Sequence, residues 1–243
     1  MIPQELLVAL VALAAGAIAA ISGFGIGSLL TPLLAAWVGT KVAVAAVAIP
    51  HFAATAYRFW LLRAHVDRKV LMSFGLTSAA GGLAGALLHA HASNPSLTLI
   101  FGIILVFVGG MGMAGLAERV RFSGWRAWLA GAASGFLGGL VGNQGGLRSG
   151  AMLGFDVSKE AFIATATATG LLVDVARLPV YLVTQGADIL HIWPLVVSAT
   201  LGTLVGTVAG ATLLRRIPGQ LYRRIVSMII LALGVFMLTR ANG

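Results

Sequence analysis

Long apolar segments fill nearly the whole of this 243-residue chain. A helix needs about 20 mostly apolar residues to cross the roughly 30 Å hydrocarbon layer of a membrane, and segments of that length leave little room for a soluble domain. Only 9% of the residues are charged, whereas soluble domains carry about 25%. The sequence therefore predicts an all-α integral membrane protein rather than a water-soluble globule.

The apolar pattern divides the chain into eight predicted spans and two shorter pieces. The spans lie at about 5–22, 42–62, 70–89, 96–117, 125–141, 160–183, 190–213 and 220–239. The shorter pieces, 25–38 and 144–155, each begin in a glycine cluster and are too short to cross comfortably. We therefore expect a polytopic helical bundle of eight full spans plus two re-entrant half-helices.

Basic residues set the expected orientation of the spans. The formal net charge of +9 comes from residues between apolar segments, so membrane topology explains it better than nucleic-acid binding. By the positive-inside rule, the connections that hold Arg63, Arg119 and Arg215 face the cytoplasm. The connections near His89–Pro95 and Gly186–Asp188 hold no Lys or Arg and are expected outside. Both termini are predicted to lie outside a bacterial-type inner membrane.

The number of crossings requires the chain to turn back twice within the membrane. The chain is inside before 125–141 and outside after 160–183, which demands an odd number of crossings. Pairing 125–141 with 144–155, so that they enter and return from the cytoplasmic side, restores the count. In the same way, 5–22 and 25–38 are predicted to enter and return from outside.

The two halves of the chain resemble each other at an offset of 119 residues. This offset aligns Pro-Leu-Leu at 32–34 with Ala-Met-Leu at 151–153, and it aligns Arg58 with Arg177. Because equivalent connections face opposite sides, the repeats are inverted, a plan that recurs in secondary transporters. We predict one transmembrane domain made of two repeats, 1–118 and 119–243.

Glycine clusters mark both predicted breaks, at 22–28 and 138–146. Glycine permits irregular backbone, which is tolerated at membrane depth only inside protein or beside a cavity. The half-helices would then begin near mid-membrane, and their free N–H groups would converge on a point suited to an anion. The alternative is that the glycines only let helices pack closely. Close packing is the expected role of other glycines, including Gly81, Gly82, Gly85, Gly202 and Gly206.

These two runs resemble the sulfite exporter TauE/SafE family, whose pattern is Gly-x-Gly-Gly-Gly followed by Pro-x-Leu. The first copy is Gly-Phe-Gly-Ile-Gly at 23–27, with Pro32 and Leu34 in place. The second is Gly-Asn-Gln-Gly-Gly at 142–146, with Ala151 at the proline position. The resemblance implies export or uptake of small anions such as sulfite, sulfoacetate or related organic acids, driven by the proton motive force.

Arg148 is the leading candidate for binding an anion. A membrane-buried arginine costs about 3 kcal/mol or more unless it is compensated, and its planar guanidinium suits a sulfite, sulfonate or carboxylate. A structural pair with Asp174 or with backbone carbonyls is the alternative. The other predicted substrate-site residues are Asn143, Gln144, Gly25, Gly27, Gly145, Gly146, Ser28, Ser149 and Ser22. The two amides either orient ligand oxygens or satisfy the broken backbone.

His51 and Asp174 are predicted to couple protons to transport. His51 lies near the centre of its span, and an imidazole exchanges protons near neutral pH, although a neutral histidine bonded across helices is an equal alternative. Asp174 and Arg177 share a helix face, so Asp174 either takes the coupling proton or forms a structural ion pair. Arg177 and Arg58 are predicted to support the site, and Arg58 alternatively extends toward the interface.

The sequence holds no residue set typical of an enzyme. It has no cysteine, no metal-ligand spacing and no phosphate loop, so we expect no catalysis, metal or cofactor. The predicted function is secondary transport of a small, sulfur-containing anion across the lipid bilayer, with protons as the coupling ion and no nucleic-acid partner. A passive anion channel, uptake of a small carboxylate and a structural membrane protein remain open alternatives. The oligomeric state is unknown.

Overall fold

The structure is a computed structural model that describes residues 3–22, 25–116, 124–143, 145, 148, 152, 155–213 and 219–241. Within these ranges every regular element is helical, as predicted. Several predicted site residues, Gln144, Gly146 and Ser149, lie outside the described residues, as do Arg119 and Arg215 of the predicted cytoplasmic connections.

Eight helices follow one another in the described part of the chain. They are α1 (Gln4–Ser22), α2 (Ile26–Leu62), α3 (Arg68–His91), α4 (Asn94–Met113), α5 (Trp125–Val141), α6 (Lys159–His191), α7 (Trp193–Leu213) and α8 (Gly219–Ala241). The first residues of α3 lead into a π-helical turn at Leu71–Gly75.

Six helical stretches are long and apolar enough to cross a membrane. They are Ile26–His65, Arg68–His91, Asn94–Met113, Glu160–His191, Trp193–Gly210 and Arg224–Ala241. The other two helices are shorter: the apolar part of α1 is Gln4–Ala20, and α5 has 17 residues, which make about 26 Å of helix at roughly 1.5 Å per residue. The chain is therefore a multi-pass helical membrane protein.

Two boundaries bear on the predicted spans. Gly39 has non-helical backbone angles of φ 76° and ψ 158° inside α2, so it separates the predicted short piece from the predicted span. The connection expected at Gly186–Asp188 is wrong, because α6 continues through these residues and the chain turns at Ile192 instead. An apolar run ends at the first polar residues, whereas a helix keeps its internal hydrogen bonds beyond the hydrocarbon layer.

Helix α1 lies along α7 with the two backbones in direct contact. A Cβ on Gly202 would overlap the carbonyl oxygen of Ala9, and one on Gly206 would overlap that of Leu13. Small residues allow this approach. Because the contacts advance together along both chains, the two helices run parallel.

Helix α5 lies along α3 in the same manner. A Cβ on Gly81 would overlap the carbonyl oxygen of Ala132, and one on Gly85 would overlap that of Phe136. This pair is also parallel, because the contacts again advance together. The predicted packing role of these glycines is confirmed: a Cβ on any of the five named above would meet a neighbouring helix at 2.9 Å or less.

Helices α4 and α8 pack in the opposite sense. Gly102 lies against Leu238, whereas Gly109, further along α4, lies against Leu231. The contacts therefore advance along α4 as they recede along α8, which makes this pair antiparallel.

Helices α2 and α6 lie against each other in the interior. Val44 and Ala48 of α2 share a buried cluster with Tyr181 of α6, and His51 contacts Asp174 further along. This order makes the two helices antiparallel, and it places their polar residues together at the middle of the bundle.

Candidate functional site

A small cavity lies where α1, α2 and α6 meet. Its volume is about 10 Å³, which is roughly the space that one water molecule needs. We call it the central cavity, and it is lined by Ala19, Ile26, His51, Ala54, Thr55, Arg58, Arg148 and Thr167. Two guanidinium groups, one imidazole and two hydroxyls therefore face a space that is otherwise apolar.

Arg58 reaches from α2 to the end of α1. Its Nη1 donates a hydrogen bond to the carbonyl oxygen of Ala19 at 2.8 Å. Ala19 lies in the last turn of α1, where carbonyls lack partners within the helix and attract a cation. Arg58 thus joins two helices while its side chain lines the central cavity.

Arg148 is 4% exposed and lies beside α6. A Cβ added to Gly170 would lie 2.6 Å from Nη1 of Arg148, so the absence of a side chain at this position leaves room for the guanidinium. The cavity thus receives Arg58 from α2 and Arg148 from the second glycine-rich region, two residues that are far apart in the sequence.

Asp174 is completely buried and binds two partners. Its Oδ2 lies 2.6 Å from Nδ1 of His51, and its Oδ1 lies 3.0 Å from Nε and 2.8 Å from Nη2 of Arg177. Because an ionised carboxylate only accepts hydrogen bonds, the imidazole donates through Nδ1. The structure therefore brings the two predicted proton-coupling residues into direct contact, and it places Arg177 on the far side of the same carboxylate.

Arg177 and Tyr181 attach α6 to the end of α5. Nη1 of Arg177 donates to the carbonyl oxygen of Gly138 at 2.5 Å, and the Tyr181 hydroxyl donates to that of Gly139. Tyr181 is not among the predicted site residues, although its position four residues after Arg177 places it on the same helix face.

His89 is a second buried polar residue outside the predicted site. The predicted span 70–89 ends at His89, where the predicted external connection begins, whereas in the structure α3 continues to His91 and His89 is fully buried. Its Nδ1 is 2.8 Å from the carbonyl oxygen of Leu140, and its Nε2 is 3.2 Å from that of Lys41. Leu140 and Lys41 are distant from His89 in the sequence and become its neighbours only in the folded chain, so the local sequence does not predict these contacts.

The two glycine clusters meet each other in the interior. A Cβ on Gly27 would overlap the carbonyl oxygen of Gly142, and Gly25 and Gly142 have φ of 130° and 75°, which favour glycine. Ser28 and Gly145 are buried. Asn143 is 5% exposed, and its Nδ2 makes no hydrogen bond with any described residue. None of these predicted residues is among those that line the central cavity.

Two further placements concern Ser22 and the threonines of α6. Ser22 is the last residue of α1, and its side chain lies outside the described part of the structure. Of the alternating threonines in α6, Thr167 lines the central cavity, whereas the Thr165 hydroxyl accepts a hydrogen bond from the backbone N–H of Asp67 at 2.9 Å.

Chemically, the central cavity suits a negative charge. Asp174 already binds Arg177 and His51, while Arg58 and Arg148 bring two positive charges to the cavity wall. Among the described residues, no group of three His, Asp or Glu side chains is placed to hold a metal ion.

Comparison with known proteins gives a family rather than an individual relative. No curated protein and no solved structure matches the chain. The model of the family described as sulfite exporter TauE/SafE matches residues 8–237, which is nearly the whole chain and includes every residue of the central cavity. The resemblance found in the glycine-rich runs is thereby confirmed, and the protein belongs to the TauE/SafE family of membrane transporters.

Proposed function

We propose that the protein is a secondary transporter of a small, sulfur-containing anion such as sulfite or an organosulfonate, and that this anion binds in the central cavity. The observation that carries the proposal is the pair of arginines, buried Arg148 and half-buried Arg58, in the wall of one cavity. Guanidinium groups recognise anionic oxygens through charge-assisted hydrogen bonds, so two of them on one cavity wall favour a bound anion.

The charges around the central cavity favour an anion over a cation as the transported substrate. The Asp174 carboxylate already pairs with Arg177 and His51. A cation that entered the central cavity would meet two guanidinium groups without a carboxylate of its own. Two planar arginine forks instead match the oxygen atoms of sulfite, sulfonate or carboxylate groups.

Inverted repeats over 1–118 and 119–243 are part of the proposal. The first helix of each repeat packs parallel to the next-to-last helix of the other repeat. Helix α1 packs on α7 in this way, and α5 packs on α3. The last helices, α4 and α8, are equivalent and antiparallel, as inversion requires. The short lengths of α1 and α5 support their assignment as first arms of two re-entrant pairs.

Proton coupling through His51 and Asp174 is proposed from their position. His51 lines the central cavity and also contacts Asp174 behind it, so a proton on this pair changes the charge beside a bound anion. Histidine and aspartate side chains within the membrane commonly form proton relays in transporters. The proposed membrane is a bacterial-type inner membrane, with both termini outside.

A carrier fits the geometry better than a passive channel. In this conformation the central cavity has a volume of about 10 Å³, roughly the space that one water molecule needs. Binding of a larger anion there would require the surrounding groups to move apart, and alternating access through motion of one repeat against the other supplies such a movement.

Binding of anions to the purified protein tests this proposal. We expect sulfite or sulfoacetate to raise the thermal unfolding temperature, because a ligand that binds only the folded state stabilises it. Sodium chloride at equal ionic strength controls for general salt effects. Arg148→Ala should lose the stabilisation by the anion. No stabilisation of the wild-type protein by any small oxyanion would contradict the proposal.

A further inference from the structure

Arg58 and Arg177 make the same contact in the two halves of the chain. Arg58 binds the carbonyl oxygen of Ala19 at 2.8 Å, and Arg177 binds that of Gly138 at 2.5 Å. Arg177 follows Arg58 by 119 residues, and Gly138 follows Ala19 by the same 119 residues. The two hydrogen bonds are thus equivalent, residue for residue, and each ties a long helix to the last turn of a short one.

The same offset places Thr55 at the position equivalent to Asp174. Asp174 lies three residues before Arg177 and binds its guanidinium. Thr55 lies three residues before Arg58, on the same face of α2, and therefore occupies the matching place without a carboxylate. One arginine has a built-in anionic partner, and its counterpart has a hydroxyl instead.

The central cavity lies beside Thr55, at the position where the other repeat has the Asp174 carboxylate. Thr55 and Arg58 both line it, whereas neither Asp174 nor Arg177 does. His51 joins the two halves of this arrangement, since its Nδ1 lies 2.6 Å from Oδ2 of Asp174 and 3.5 Å from Oγ1 of Thr55. The carboxylate in one repeat and the space in the other therefore flank the same imidazole.

We propose that the anionic group of the substrate sits against Thr55 and Arg58, in the place that the Asp174 carboxylate takes in the other repeat. This inference rests on the proposed transport of an anion and identifies where that anion binds. The Thr55 hydroxyl donates to the anion, and the guanidinium of Arg58 supplies the charge that Arg177 supplies to Asp174. Arg148 contacts the same anion from the opposite repeat, so the site suits a compact oxyanion with oxygens on two sides.

Thr55→Asp tests the proposal by building the missing carboxylate into the chain. Aspartate and threonine are similar in size, and the new carboxylate would pair with Arg58 as Asp174 pairs with Arg177. We expect the variant to fold and to bind sulfite or sulfoacetate about 100-fold more weakly, because a fixed carboxylate takes the hydrogen bonds to charged groups that the anion needs. Isothermal titration calorimetry of the purified protein measures the change.

Two control variants separate the local effect from a general one. Ser93→Asp adds the same charge at the exposed residue that precedes α4, a position where aspartate is well tolerated, and should leave the affinity unchanged. Thr55→Asn changes the same position without adding charge and should weaken binding far less than Thr55→Asp. Equal affinity of Thr55→Asp and the wild-type protein would overturn the inference while leaving anion transport intact. Absence of anion binding by the wild-type protein would instead overturn the proposed function.

Arg58→Lys tests the same placement of the anion if Thr55→Asp does not fold. Lysine keeps the positive charge but lacks the planar fork that binds Ala19 and the anion together. We expect at least about a tenfold loss of affinity, since a bidentate contact to a charged group is removed. An affinity within twofold of the wild-type value would contradict the placement of the anion at Arg58.

Discussion

At the scale of single residues, the interior contains a buried ion pair beside a cavity with positively charged walls. Asp174 is completely buried between His51 and Arg177, and removing one partner of such a pair typically costs about 3–5 kcal/mol. Arg58 and Arg148 line the central cavity a short distance away. The Asp174 pair therefore supports the structure, while the other two arginines supply positive charge at the proposed binding site.

Gly170→Ala is expected to weaken anion binding with little change in stability. The new methyl group would lie 2.6 Å from Nη1 of Arg148, and the guanidinium at the end of a flexible side chain can shift away. A displaced donor should reduce the affinity for sulfoacetate by about tenfold, the effect of losing one hydrogen bond to a charged group. Calorimetric titration and thermal unfolding of the same preparation measure both quantities.

Gly186→Ala is the matched control on the same helix. A Cβ at Gly186 meets nothing within 4 Å, so this variant should bind sulfoacetate as the wild-type protein does. If Gly170→Ala and Gly186→Ala have the same affinity, Gly170 does not hold open the place of the Arg148 guanidinium.

At the scale of helices, close backbone contact holds the pairs together. Gly206 on α7 faces Leu13 on α1, and Gly139 on α5 faces Gly82 on α3. Lipid tails are as apolar as leucine side chains, so burying apolar surface drives little association in a membrane and tight packing must do so instead. The glycines are therefore structural in these helices even where they bind nothing.

Gly206→Ala is expected to destabilise the protein by about 1–3 kcal/mol, the usual range for overpacking a close contact. Its methyl group would overlap the carbonyl oxygen of Leu13, which belongs to the backbone and cannot turn away. Gly110→Ala on α4 is the control, because a Cβ there meets nothing within 4 Å. Unfolding of both variants in the same detergent gives the comparison, and equal stability would contradict direct contact between α1 and α7.

The helices were largely predictable from sequence because membrane spans are long apolar runs. The break at Gly39 and the close contacts of Gly81 and Gly206 also follow from local composition. His89 and Tyr181 did not follow, because the carbonyls they bind belong to other helices and become neighbours only in the fold. The proposed role of Thr55 was not predicted for a related reason, because it depends on comparison with Asp174 at the equivalent position of the other repeat.

At the scale of the whole molecule, the proposed inversion relates the two halves. The antiparallel pair α2 and α6 places the end of α2 and the end of α6 at opposite sides of the membrane. In the proposed arrangement, Asp174 of one repeat corresponds to Thr55 of the other, so the proposed site has two different walls. Alternating access in transporters of this plan moves one repeat against the other.

Single cysteines test the inversion directly, since the chain has none of its own. His65 follows α2 and His191 ends α6, and both are exposed. We expect a membrane-impermeant maleimide added outside intact cells to label His191→Cys but not His65→Cys, which should react only after the cells are permeabilised. Labelling of both positions from the same side would contradict the inverted arrangement.

Proton-driven transport is the central claim, and flux into proteoliposomes tests it most directly. We expect an imposed pH gradient to drive radiolabelled sulfoacetate against its own concentration gradient in vesicles that hold the wild-type protein. His51→Gln, which removes the imidazole that contacts Asp174 and leaves the Asp174–Arg177 pair in place, should lose this dependence on the gradient. Accumulation that is the same with and without a pH gradient in the wild-type protein would contradict the account.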